Sequence, residues 1–148
     1  MFAMLEIFVK LITIVGIIIA VITYLKNSKL SQAKWLSELF ERFYEKETYK
    51  EVRLLIDYKT ALYFEMMESI KKDTKPELQE KLVDYLNFFE FISTLNVEKQ
   101  LSVKQINLVF GYYIHAFSKN NEIMDFIDKS GFQNLTKLIN KVNHLRGL

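Results

Sequence analysis

Residues 11–25 read Leu-Ile-Thr-Ile-Val-Gly-Ile-Ile-Ile-Ala-Val-Ile-Thr-Tyr-Leu, fifteen positions without a charge. Extended back to Leu5, the stretch reaches about 20 residues, the length a helix needs to cross a bilayer. Glu6 and Lys10 interrupt its start four residues apart. That spacing puts them on one helix face, where they can pair, and close enough to the end to reach headgroups. The hydrocarbon span is therefore expected over about residues 8–25, with Tyr24 at the far interface. Lys26, Lys29 and Lys34 follow directly, and this basic excess predicts a cytoplasmic C-terminal side. The expected organisation is an anchor over 1–26, a polar neck over 27–34 and a helical domain over 35–148.

Two other readings compete. A cleaved signal peptide has a shorter apolar core and a small-x-small cleavage site. The Val-Ile-Thr-Tyr-Leu-Lys run after Ala20 offers no such pair. A buried core helix of a soluble protein is the other, but this segment is apolar on every face. Gly16 and Ala20 make a Gly-x-x-x-Ala spacing, which is a helix-pairing signal or ordinary anchor composition.

The 148 residues allow one domain plus an anchor. Setting Glu6, Lys10, Lys26 and Lys29 aside from 20 basic and 18 acidic residues leaves 17 of each. A formally neutral domain argues against general nucleic-acid binding, which uses a basic excess. The absence of cysteine excludes disulfides, Cys-based zinc sites and thiol catalysis.

The remainder predicts an all-α bundle of five or six helices. Trp35, Leu36, Leu39, Phe40 and Phe43 recur at helical spacing. Trp35 starts this stripe and is read as packing in the domain rather than at the bilayer surface. Thr48 and Glu51 form a capping-box pattern. The stripe from Val52 to Ile70 blurs near residues 58–60, giving one bent helix or two. Pro76, with Glu77 and Glu80, suits a first helical turn. The helix expected over about 77–95 is apolar around most of its circumference, so it should be central. Ser102 and Gln105 make a second capping box. A short helix over about 121–128 should end near Gly131, and a last one should cover about 132–145.

Asn87 and Glu90 stand out on the apolar central helix. A carboxylate there should be paired or have a raised pKa. It is either a buried polar clamp, partnered by Arg53 or His115, or a site acid. His115 is a hydrogen-bonded structural residue or a ligand and proton carrier. Arg53 and Asp57, four apart, form an ion pair on their own helix, or Arg53 turns inward to Glu90. Lys137, Lys141 and Arg146 lie in a C-terminal stretch without acids. With Lys26 and Lys29 they are candidate contacts to anionic headgroups, or simply a solvated face over packed Leu135, Leu138, Ile139, Val142 and Leu145. Glu65, Glu68, Asp84 and Glu90 raise a di-iron carboxylate site, but neither histidine has the required Glu three residues before it. No phosphate-cradling Gly loop, His-Glu-x-x-His or Gly-x-Ser-x-Gly is present. No metal, cofactor or catalytic set is therefore expected.

Trp35-x-x-Leu-x-Glu-Leu-Phe, Phe43-Tyr44, Val52-Arg53-x-Leu-Ile-Asp57, Tyr85-Leu-Asn-Phe-Phe-Glu90-Phe-Ile and Val109-Phe-Gly-Tyr-Tyr-Ile appear in that order. Over about Trp35 to Phe117 the chain resembles a bacterial domain-of-unknown-function family. Its members are small and helical, and often carry one N-terminal membrane helix. The resemblance implies architecture and brings no reaction or ligand.

The expectation is a single-pass bacterial inner-membrane protein with a cytoplasmic helical domain. Its leading role is an interaction module that binds a partner protein or self-associates at the bilayer. The alternatives are a membrane-acting effector of a defence or toxin system, and a ligand sensor or hydrolase using Glu90, Asn87 and His115.

Overall fold

The computed structural model describes residues 2–145 and Gly147, with side chains from Glu6 onward. These residues are all-helical. The elements are α1 (Phe2–Glu45), α2 (Glu47–Tyr58), α3 (Ala61–Lys72), α4 (Pro76–Val97), α5 (Val103–Ser118), α6 (Asn121–Lys129) and α7 (Gln133–Leu145). The chain divides into two compact units, Met1–Leu39 and Phe40–Leu148.

The described residues of the first unit all belong to α1, whose last residues, from Phe40 to Glu45, lie in the second unit. α1 has 44 residues, which at the helical rise is about 66 Å, twice what a bilayer core requires. Its apolar part is long and apolar enough to cross a membrane, and none of that part is buried. Glu6 and Lys10 pair at 2.6 Å, as their spacing predicts.

The helix expected to begin at Trp35 is not a separate element. Six helices follow α1, and the Trp35 stripe belongs to the end of α1 itself. The reason lies in the neck: residues 26–34 are polar but hold no Gly or Pro to stop a helix. Trp35 is 40% exposed and takes no place among the buried residues; Phe43 is fully buried.

The second unit is the bundle. α4 packs against α2, α3 and α7, while α5 packs against α6 and α7. Its centre is aromatic. The Phe43 ring meets those of Tyr85, Phe88, Phe89, Phe110 and Tyr113, mostly edge to face with centroids 4.9–5.7 Å apart. Such geometry suits the ring quadrupole.

The helix ends follow local chemistry. The Val52–Ile70 stripe is two helices, broken at Lys59, which is left-handed at φ 46°. The Thr48–Glu51 box does not form: Lys46 is the N-cap of α2, without a side-chain cap. Only Lys46 separates α1 from α2, so Thr48 already lies inside the first turn. Ser102 and Gln105 do make a reciprocal capping box. α6 closes through Gly131 at φ 82°, with Phe132 N–H bonded to Ile127 O at 3.2 Å. That left-handed step is where glycine is favoured.

Candidate functional site

Arg53, Glu90, Asn87 and His115 are not brought into one polar cluster. Each serves a different part of the bundle.

Arg53 is buried on α2. Its guanidinium donates to the carbonyl of Phe43 and, at 3.2 Å, to that of Tyr44. It also lies 4.7 Å from the ring centroids of both residues. These carbonyls are among the last four of α1, which have no partner within the helix. Arg53 thus turns inward, but to close α1 and not to meet Glu90. Asp57, one turn on, instead accepts from the Tyr112 hydroxyl at 2.9 Å.

Glu90 is half-buried on α4 and faces the start of α7. Its carboxylate accepts the N–H of Asn134 at 3.3 Å and of Leu135 at 2.7 Å. It is a clamp, but its partners are backbone groups rather than Arg53 or His115. Asn87 is exposed and lines a shallow hollow of about 330 Å³ with Arg42, Lys46, Asp84 and Phe91. Lys46 and Asp84 pair across it at 3.3 Å.

Lys26, Lys29, Lys137 and Lys141 are exposed. Lys141 donates to Asn96 at 3.0 Å. Arg146 lies outside the described residues. Leu135, Leu138, Ile139 and Val142 are buried as expected, whereas Leu145, at the end of α7, is exposed.

His115 lines a cleft of about 740 Å³. It lies between the α2–α3 corner, with Lys59, Tyr63 and Phe64, and the α5–α6 corner, with Tyr112, Lys119 and Asn120. The His115 ring nitrogen Nδ1 is 3.5 Å from Ser118 Oγ on its own helix. Asn120 caps α6 by accepting from Ile123 N–H at 3.0 Å, and its amide donates to the Tyr63 hydroxyl. This bond ties α3 to α6 across the cleft floor. Burial, followed by the nearby Glu122 carboxylate, raises the Tyr63 pKa.

Apart from His115 and Tyr112, these lining residues carried no motif. Two signals were nevertheless present. The stripe loses phase near Lys59, which marks a corner. Leu108 and Tyr112 are four apart on the side of α5 opposite Ile106, Phe110 and Tyr113, and apolar residues there have no core to enter.

Comparison with protein-family models, with curated proteins and with solved structures finds no match to this chain. Function is therefore argued from the geometry.

Proposed function

We propose that this chain is a membrane-tethered interaction module whose bundle binds a partner protein, or a second copy of itself, at a bacterial inner membrane. The observation that carries this reading is a pair of exposed apolar residues on each of two helices, α2 and α5, which together are read as a strip on the outside of the bundle. Leu54 and Tyr58 of α2 are 46% and 73% exposed, and Leu108 and Tyr112 of α5 are 83% and 60% exposed. Each pair is four residues apart and so shares a helix face. The Tyr112–Asp57 bond holds the two faces together. Exposed apolar residues on neighbouring helix faces are what an interaction site would use.

The wholly exposed apolar part of α1 supports the tether. Lys26, Lys29 and Lys34 beyond it favour a cytoplasmic bundle. The resemblance to small bacterial proteins with one N-terminal membrane helix agrees with the tether.

The test is a gentle-detergent pull-down of the tagged chain from its native cells, with sizing of the eluate. Leu108→Glu and Tyr58→Lys place charge on the strip without touching the core. Each should abolish capture of a stoichiometric partner or reduce the oligomer to a monomer, with unchanged circular dichroism. Wild-type protein that elutes as a lone monomer would sink the reading. A homo-oligomer without a partner would point to the membrane-effector form, which predicts depolarisation on overexpression.

A further inference from the structure

We infer that the cleft between the α2–α3 and α5–α6 corners binds a small anion bearing a flat apolar group, such as an aryl phosphate or carboxylate. A volume of about 740 Å³ lies within the range of small-molecule pockets. The lining carries two lysines and two acids. Glu122 is paired with Lys71 from outside the lining, and Asp57 keeps its charge while accepting from Tyr112 at 2.9 Å, so one cation is left in excess, which favours an anion. Lys59 and Lys119 have no ion-pair partner among the described residues. They are the C-cap residues of α2 and α5. Both line the cleft.

Tyr63 and His115 line the same cleft. The Tyr63 hydroxyl accepts from Asn120, which leaves its own proton to donate. His115 presents a ring with a second nitrogen beyond the one near Ser118. The apolar requirement comes from Phe64 and Tyr112, both lining residues with exposed rings, which suit stacking against a flat partner. Ile56 and Ala116 supply aliphatic wall. The cleft shares Tyr112 with the apolar strip, but its charged residues, Lys59 and Lys119, are not members of that strip.

Phenyl phosphate is the probe, titrated by NMR into the full-length chain in phosphatidylcholine nanodiscs. Inorganic phosphate lacks the ring, and benzylammonium reverses the charge. Phenyl phosphate should bind saturably and at least about ten-fold tighter than either control. Lys119→Glu and Lys59→Asn are both at exposed positions, and asparagine tolerates the left-handed backbone at residue 59. Each should weaken binding about ten-fold, as expected for losing a charge-assisted contact. Lys137→Glu on α7 and Leu108→Glu on the strip should leave it unchanged. Competition by nanodiscs containing phosphatidylglycerol would identify a lipid headgroup as the natural anion; no competition would identify a soluble one. Absence of saturation at millimolar probe would overturn the site. So would equal affinity for either control, or undiminished binding by both lysine variants.

Discussion

Glu90 Oε2 on α4 lies 2.7 Å from the backbone nitrogen of Leu135 on α7, and Oε1 lies 3.3 Å from that of Asn134. A carboxylate from one helix therefore caps another. The residue before α7 is Phe132, which has no side-chain acceptor, so α7 cannot cap itself in the usual way. The negative charge also faces the positive end of the α7 dipole. Glu90→Ala should cost about 1–2 kcal/mol of stability, and Glu90→Gln roughly half of that, since an amide keeps one acceptor but no charge. Denaturant unfolding of the full chain measures both. Hydrogen exchange should rise first at Asn134 and Leu135; equal protection in the variants would remove the capping role.

Arg53 performs the opposite task at the end of α1. Its fork reaches two carbonyls, at Phe43 and Tyr44, while its plane lies against both rings. Lysine carries the same charge without the planar fork. Arg53→Lys should therefore lose about 1–2 kcal/mol, the scale of one charged hydrogen bond with its stacking. A lysine variant as stable as wild type would show that charge alone matters here.

The contrast between these two residues shows what was legible in the sequence. Both were singled out as polar groups amid apolar neighbours, and both are held by hydrogen bonds. Their partners were not legible, because the partners are backbone N–H and C=O groups, which every residue carries. The Ser102–Gln105 box and the Gly131 turn were readable, since there the side chain or the glycine itself is the signal. The continuity of α1 was harder to see: a polar neck reports exposure to water, and that is compatible with helix. The cleft was hidden for a related reason. It is assembled from two corners far apart in sequence: lost phase marks the one at Lys59, but the one at Lys119 has no local signature and nothing in the sequence joins the two.

Phe43 tests the aromatic centre. It is fully buried, and its ring touches those of five residues on α4 and α5, as well as Tyr44 and Tyr49. Removing it leaves a cavity at the point where the end of α1 joins α4 and α5. Phe43→Ala should lose about 3–5 kcal/mol, whereas Phe43→Leu should lose clearly less because it refills part of the volume. Similar losses for the two would mean that ring geometry, and not filled space, is what the site requires.

Tyr85 is buried beside Phe43 with a hydroxyl that has no hydrogen-bond partner among the described residues. A buried hydroxyl without a partner is costly, so Tyr85→Phe should be neutral or stabilising by up to about 1 kcal/mol near neutral pH. The same burial pushes the Tyr85 pKa well above 10.0, and Tyr113 opposes its ionisation further. Burial, then a hydrogen bond with Tyr44, raises Tyr113 as well. In the unfolded chain these phenols ionise near their ordinary value, while the fold still holds their protons. Their contribution to stability is thus complete below about pH 10 and declines as pH rises above it. Unfolding free energies measured from about pH 8 to about pH 11 should fall steeply at the upper end. Tyr85→Phe removes one titrating group and should make that fall shallower. A variant whose alkaline slope matches wild type would mean that Tyr85 ionises as readily in the folded chain as in the unfolded one.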